Sequence, residues 1–213
     1  MSPRGVLALL MVLGTVGFAG LGSGCATYTG GAEAIMPAQV QASDGWIAAA
    51  PTPTVKQRNI TDCGAATLAM VAGSWHVALT LDEAAGHLPP PGKDGVRLVD
   101  LREGAVAVRL VAFAIAADLA VLERELGAGR PVVVGLKRPY GKDKILSHFE
   151  VVIAMRKKPN TKGKEQVEIV TIDPGSETAS GWQVRTWPEL EREWKPAGRP
   201  ALVVVGTSDS ASR

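Results

Sequence analysis

The chain has 213 residues, a formal net charge of +2 and a hydrophobic content of 46%, which is ordinary for a globular protein. Such a small charge does not create the strong positive field that binds nucleic acid, so we expect no nucleic-acid partner. Once the N-terminal region is set aside, roughly 160 to 190 residues remain, which is enough for one domain with its own core.

Residues 1–24 predict an export signal. Arg4 gives a positive start, residues 6–18 form an apolar run that is too short to span a membrane, and small residues precede Cys25. This pattern resembles the lipobox of bacterial lipoproteins, although Leu21 lies one position further from the cysteine than is usual. The resemblance implies a lipidated Cys25 that anchors the mature protein in a lipid bilayer of the cell envelope. We expect the periplasmic face of the outer membrane, because no inner-membrane retention signal follows the cysteine.

The next segment, residues 25–54, is rich in Ala, Gly, Thr, Pro and Gln. This composition predicts a flexible tether between the anchor and the folded domain, with Trp46 as a candidate for docking on the domain. We place the domain at residues 55–206, followed by a disordered tail over residues 207–213.

Helical patterns come first in the domain. The residues after Cys63 are apolar, a capping box opens at Thr80, Gly104 closes a mixed apolar run, and Asp118 is an N-cap. These signals predict helices over residues 63–73, from residue 81, over residues 96–103 and over residues 119–126.

Strand patterns dominate the second half. Runs of β-branched and alternating apolar residues mark the strands, and Gly, Pro and Asn mark the turns. The predicted strands are 106–112, 131–136, 148–155, 167–172 and 201–205, with a loop over 139–146, a hairpin turn over 156–164 and a last short helix starting at Thr186. Helices followed by an antiparallel sheet indicate the α+β class.

The stretch around Cys63 carries the first chemical signal. Polar turn formers precede the cysteine and helix formers follow it, so Cys63 should lie at a helix N-terminus, where the helix dipole favours a thiolate. Gly64 removes a side chain next to the sulfur, so that a substrate backbone can approach. The Gln57 amide is a candidate oxyanion donor. From this stretch alone, a nucleophile and a buried structural cysteine both remain open.

The cysteine count bears on this choice. The chain has two cysteines, Cys25 and Cys63, and a disulfide is the default for an exported protein. If Cys25 carries lipid, Cys63 is left as a free thiol in an oxidising compartment. Such a thiol is a liability unless it is used, which favours the nucleophile.

The three histidines differ in their surroundings. His76 follows the first helix and is expected to be structural or on the surface, whereas His87 lies in the second helix or at its end and has no nearby acid on a strand. His148 opens a strand, and Asp173 ends the next strand of the same predicted hairpin, so antiparallel pairing would bring the imidazole close to the carboxylate. Glu150 lies two residues along from His148 and is the rival carboxylate.

Taken in order, these segments resemble a known family. The segments are Gln57, then the run from Asp62 to Val71, then Ser147-His148-Phe149, then Ile172-Asp173-Pro174. They resemble the bacteriocin-processing, double-glycine-leader cysteine peptidase domain over about residues 55–205. The resemblance implies a papain-like α+β fold, with Cys63 as nucleophile, His148 as base, Asp173 as its orienting acid and Gln57 at the oxyanion.

Three functions follow from this reading. The first is a cell-envelope cysteine peptidase that cleaves a peptide or protein substrate. The second is a peptide-binding or assembly lipoprotein that keeps the fold without turnover, and the third is an amidase or transferase that uses the same groups on a non-protein acyl group. No transporter domain follows in the sequence, which leaves the Gly-Gly leader specificity open. No cofactor is expected, and Cys63, His148 and Asp173 lack the paired spacing of a metal site.

Overall fold

The computed structural model describes residues 28–93 and 95–206. The predicted signal over residues 1–24, the predicted lipidation site Cys25 and the predicted tail over residues 207–213 therefore lie outside the described residues. Within the described ranges, none of the helices combines the length and apolar character needed to cross a bilayer.

Eight strands and five α-helices make up the described chain. The strands are β1 (Glu33–Ala34), β2 (Ile47–Ala48), β3 (Val111–Ala116), β4 (Val132–Tyr140), β5 (Lys144–Pro159), β6 (Glu165–Ile172), β7 (Trp182–Thr186) and β8 (Pro200–Val205). The helices are α1 (Cys63–Gly73), α2 (Leu81–Gly86), α3 (Leu98–Ala107), α4 (Leu119–Gly127) and α5 (Trp187–Trp194).

All the strands belong to one antiparallel sheet. Their order is β1-β7-β6-β5-β4-β8-β3, and β2 pairs separately with one end of β5. The long strands β4, β5 and β6 are neighbours in sequence and in space, so short hairpins connect the middle of the sheet. This arrangement, with helices on both faces, confirms the predicted α+β class.

The helices cover the sheet on two sides. Helices α1, α2 and α3 share one apolar core with the sheet, whereas α4 and α5 pack into a second core on the opposite face. Helix α1 is buried along its whole length from Cys63 to Ala72, which explains why its sequence is apolar on every side rather than on one stripe.

Several predicted boundaries are confirmed by local chemistry. Helix α1 spans the predicted residues, and the Thr80 and Glu83 side chains form the capping box that starts α2. The Asp118 carboxylate accepts a hydrogen bond from the Val121 backbone N–H at 2.9 Å and caps α4.

The region after α2 differs from the prediction. Helix α3 continues through Gly104 to Ala107, because the missing side chain at Gly104 leaves room for Leu88 and Leu68 to pack closely. The alternating apolar residues that predicted a strand over 106–112 are partly the end of this helix. Arg109, with a φ of 66°, breaks the helix, and the strand β3 starts only at Val111.

Two further parts of the sheet differ from the prediction. The predicted polar loop over 139–146 is a tight hairpin, because β4 continues to Tyr140 and β5 begins at Lys144. Strand β7 was not predicted, because the alternation of apolar Trp182 and Val184 with polar Gln183 and Arg185 covers only five residues.

The segment predicted as a flexible tether packs on the sheet where it is described. Strand β1 pairs with β7, and β2 pairs with β5. Trp46 is only 4% exposed, and the Arg156 guanidinium lies 4.3 Å from the centre of its ring. Docking by Trp46 is therefore confirmed. The prediction of a tether was wrong for residues 28–54. The composition of this segment is that of a linker, but it forms two short edge strands of two residues each.

Candidate active site

Cys63 is the first residue of α1 and is 3% exposed. The sulfur therefore lies at the N-terminus of this helix, as the sequence predicted, where the helix dipole favours a thiolate. The role predicted for Gly64 is not what the structure shows. A Cβ atom at Gly64 would lie 2.3 Å from Val96 Cγ2, so the missing side chain admits Val96 rather than a substrate backbone.

His148 and Asp173 meet as the hairpin predicted. The register pairs Val151 of β5 with Ile172 of β6, which places Asp173, just after β6, beside the start of the buried part of β5. His148 Nε2 lies 2.7 Å from an Asp173 carboxylate oxygen. Because Nε2 is engaged by Asp173, the other ring nitrogen is left for Cys63, whose sulfur is near enough to help raise the pKa of the imidazole.

The charges of this trio favour a thiolate–imidazolium pair. Burial raises the pKa of the Cys63 thiol, but hydrogen bonds and positive charge from His148, with backbone hydrogen bonds from Phe149 and Gly64, outweigh it and hold the pKa below its usual value. Burial lowers the pKa of His148, yet Asp173 and Cys63 raise it to about 9. At neutral pH the imidazole is thus protonated beside an activated sulfur.

A short loop after β6 fixes the aspartate. The Asp173 N–H donates to the Gly181 carbonyl at 2.8 Å, and the same carboxylate oxygen that faces His148 accepts from the Gly175 N–H at 2.7 Å. Gly181 has a φ of +68°, and a Cβ there would lie 2.8 Å from the Asp173 carbonyl oxygen. Glycine is therefore the residue that fits both this backbone conformation and the close contact with the Asp173 carbonyl.

Behind the aspartate lies a buried network of charges. Arg138 Nη1 contacts Asp173 at 2.5 Å and Glu150 at 3.0 Å. Arg185 contacts Glu150 at 2.6 Å and Glu193 at 3.1 Å. Sequence reasoning missed both arginines, since Arg138 lies beyond the predicted strand 131–136 and Arg185 lies on β7, which was not predicted. A charged residue in an otherwise apolar strand run was the available signal.

The rival carboxylate therefore has another role. Glu150 accepts hydrogen bonds from the Thr171 hydroxyl and from Arg185, each at 2.6 Å, whereas Asp173 is the carboxylate that faces the imidazole. The question left open by the sequence is decided in favour of Asp173 as the partner of His148.

Gln57 lies beside this group. Its N–H donates to the Pro174 carbonyl at 3.1 Å, and its side chain lies against Gly175. The Gln57 Oε1 atom is buried without a hydrogen-bond partner. The Gln57 amide therefore adjoins the Asp173 loop, and the structure brings it to the same cleft as His148.

Two cavities meet at His148 and Ser147. One, of about 390 Å³, is lined by polar residues that include Lys56, Gln57 and Lys144. The other, of about 300 Å³, contains Cys63 and is mostly apolar, with lining residues Val96, Leu98, Leu136, Phe149 and Pro200. An extended chain lying across His148 would touch both cavities, one polar and one apolar.

The remaining candidates lie elsewhere or are already paired. His76 and His87 are exposed and line neither of these two cavities. His148, Glu150 and Asp173 have ligand atoms within 4.8 Å of one another. Their carboxylates are held by Arg138 and Arg185, and these positive charges oppose the binding of a cation there.

A buried cysteine at a helix start, facing a histidine and an aspartate on neighbouring antiparallel strands, is the arrangement of a papain-like cysteine peptidase fold. Residues 51–184 match the model of the Peptidase C39 family, and the chain belongs to this family. No curated protein matches the chain significantly.

Solved structures show the same fold. The chain is 21% identical to the peptidase domain of Streptococcus ComA, a bifunctional ABC transporter involved in a quorum-sensing pathway, with a TM-score of 0.54 over 72% of this chain and 97% of that one. It is 20% identical to a double-glycine-motif protease from an AMS/PCAT transporter, solved with its leader peptide, with a TM-score of 0.56 over 75% and 95%. A protein described as a C39-like peptidase from Bacillus anthracis is 14% identical, with a TM-score of 0.56 over 73% and 95%.

Proposed function

We propose that the protein is an active cysteine peptidase. The observation that carries this proposal is the placement of His148 with Cys63 and Asp173: Nε2 lies 2.7 Å from the aspartate, the imidazole lines the same cavity as the cysteine, and the two groups shift each other's pKa. The pKa of the thiol is lowered and that of the imidazole is raised, as acyl transfer by a thiolate requires.

In this mechanism the Cys63 thiolate attacks the carbonyl carbon of a peptide bond. The oxyanion is stabilised by the Cys63 backbone N–H and the Gln57 amide. The His148 imidazolium gives its proton to the leaving amine, which departs and leaves a thioester on Cys63. His148 then takes a proton from water, and the hydroxide attacks the thioester. The C–S bond breaks to release the Cys63 thiolate beside the His148 imidazolium, and the carboxylic acid product loses its proton to solvent.

A peptide or protein is the proposed substrate. The AMS/PCAT protease of the same fold was solved with a leader peptide. In this chain, the two adjoining cavities at His148 suit an extended peptide with polar groups on one side of the cleaved bond and apolar groups on the other.

Cleavage of peptides tests the proposal directly. The protein is incubated with a degenerate peptide library, and the products are sequenced by mass spectrometry. We expect discrete cleavage by the wild type and by His87→Ala, which changes an exposed histidine that lines neither cavity, but none by Cys63→Ala or His148→Ala. Peptide binding without products, unchanged by Cys63→Ala, would refute catalysis and support a binding protein. Release of amine only from cell-wall amides would point to an amidase.

We also propose that Cys25 carries lipid and that the protein works in the cell envelope, at the periplasmic face of the outer membrane. The support is the sequence pattern that precedes Cys25. In cells, Cys25→Ser should move the full-length protein from the membrane fraction to the soluble fraction, whereas Cys63→Ser should leave it in the membrane fraction. An unchanged membrane association of Cys25→Ser would contradict the proposal.

A further inference from the structure

The Asp173 carboxylate is held at both of its oxygens. One oxygen faces His148 and the Gly175 N–H, each at 2.7 Å. The other accepts from Arg138 Nη1 at 2.5 Å and from the Gln183 amide at 3.2 Å. The plane of the carboxylate is therefore set from behind, and Arg138 supplies the charged contact on that side.

Arg138 is itself immobilised. It lies on β4, and its side chain is 1% exposed. Nη1 also contacts Glu150, and the face of the guanidinium lies 3.8 Å from the centre of the Tyr28 ring. The Tyr28 hydroxyl donates to Glu193 at 2.5 Å, and burial raises the pKa of Tyr28 to about 12, so the hydroxyl keeps its proton.

The buried charges around Arg138 balance only if His148 is protonated. Two arginines, Arg138 and Arg185, face three carboxylates, those of Glu150, Asp173 and Glu193. One negative charge is left over, and a protonated His148 balances it. Burying this many charges stabilises a fold little or not at all compared with an apolar core. The network is therefore better explained by its effect on the position of Asp173 and His148.

We propose that Arg138 is a positioning residue of the peptidase, which fixes the Asp173 carboxylate so that His148 is held in line with Cys63. This inference rests on the proposed function, because it assigns Arg138 a part in the same reaction. Arg138 does not touch the sulfur and acts through Asp173. A lysine cannot replace it, because an ammonium group lacks the planar guanidinium that contacts Asp173 and Glu150 while it lies against the Tyr28 ring.

The test compares two arginines of one network. Arg138→Lys removes the guanidinium that contacts Asp173. Arg185→Lys is the matched control, since Arg185 is equally buried and contacts the same Glu150 but has no direct contact with Asp173. The rate of Cys63 alkylation by iodoacetamide is measured against pH in both variants, together with the rate of peptide cleavage and the urea midpoint.

We expect the midpoint pH of alkylation to rise by about one unit in Arg138→Lys, a tenfold loss of thiolate at low pH, and to stay at the wild-type value in Arg185→Lys. Peptide cleavage by Arg138→Lys should fall about tenfold to a hundredfold at an unchanged KM, because a small misplacement of the base is costly. The groups that titrate or carry charge near the trio, and that both variants retain, are Lys56, Tyr140 and Glu150.

An unchanged alkylation profile in Arg138→Lys, or equal shifts in both variants, would overturn the proposal. If a single substitution prevents folding, balanced pairs replace it: Arg138→Met with Glu150→Met against Arg185→Met with Glu150→Met. Each pair removes one positive and one negative charge, which buried networks tolerate better than a single loss. Failure of every variant and of the wild type to cleave peptides would refute the proposed function, while the alkylation profiles would still decide the role of Arg138.

Discussion

At the scale of single residues, the site depends on where one proton lies. Cys63 and His148 shift each other's pKa in opposite directions, with Asp173 supporting the imidazolium. For each group alone, the pH dependence of stability has a definite sign. His148, with a raised pKa, stabilises the fold at low pH and loses this contribution as pH rises. Cys63, with a lowered pKa, does the reverse.

These opposite signs predict a specific effect of Cys63→Ala. In the wild type the proton gained by His148 on folding offsets the proton lost by Cys63, so the pair gives little pH dependence near neutrality. In Cys63→Ala only the His148 contribution remains. It is complete below about pH 6.5, the ordinary pKa of histidine, and is lost as pH rises through the pKa of the imidazole, which Asp173 still raises but which lies below the wild-type value of about 9 because Cys63 no longer contributes.

Urea unfolding from pH 6 to pH 9 checks this prediction. The free energy of unfolding of Cys63→Ala should fall by up to about 1.4 kcal/mol per pH unit relative to the wild type. The double variant Cys63→Ala with His148→Gln is the control and should lose this slope. A Cys63→Ala protein whose stability follows the wild type across the range would show that Asp173 does not hold a charged imidazole.

At the scale of elements, the site depends on the loop between β6 and β7. Strand pairing brings Asp173 to the end of the sheet where His148 lies, and the loop then sets the orientation of its carboxylate. Gly181 closes this loop with a φ of +68° and leaves no room for a side chain beside the Asp173 carbonyl.

Gly181→Ala should therefore damage both stability and reactivity. The added Cβ would meet the Asp173 carbonyl oxygen at 2.8 Å, so the backbone that carries the aspartate must move. The matched control is Gly163→Ala, which has a φ of +71° but no atom within 4 Å of the new Cβ and costs only about 1–2 kcal/mol of backbone strain. We expect Gly181→Ala to lower the free energy of unfolding, measured in urea, by more than Gly163→Ala does. Only Gly181→Ala should raise the midpoint pH of Cys63 alkylation. Equal effects of the two substitutions would contradict this role of the loop.

At the scale of the whole molecule, the N-terminal segment is part of the fold. Strands β1 and β2 join the sheet at two separate places, and Tyr28 covers Arg138 from the same segment. The family match begins at residue 51, so this addition to the sheet precedes the matched region.

Trp46→Ala should show how strongly this segment binds. A tryptophan that is 4% exposed buries a large apolar surface, and its removal from a core costs about 3–5 kcal/mol. Met36→Ala, in the same segment but 65% exposed, should change the free energy of unfolding by less than about 0.5 kcal/mol. A small effect of Trp46→Ala in urea unfolding would mean that residues 28–54 contribute little to stability.

The sequence predicted those elements whose signals lie close together in the chain, and it missed those that depend on distant partners. Capping residues such as Thr80 and Asp118 and the apolar run after Cys63 located three helices, and hairpin arithmetic brought His148 to Asp173. Strands β1 and β2 are two residues each and are stabilised by partners more than a hundred residues away, so no local pattern marks them.

The charged half of the site was hidden for the same reason. Arg138, Glu150 and Arg185 come from three strands, and only the assembled sheet shows that they meet. A sequence shows an arginine on a strand, but its burial is a property of the tertiary structure.

The pH dependence of Cys63 alkylation in the wild type and in His148→Ala tests the thiolate–imidazolium pair most directly. We predict that the wild type reacts fast well below the free-thiol pKa of about 8.5, that His87→Ala reacts like the wild type, and that His148→Ala reacts slowly until the pH approaches that value. A wild-type profile that follows an ordinary thiol, unchanged in His148→Ala, would contradict the existence of the pair and the peptidase proposed from it.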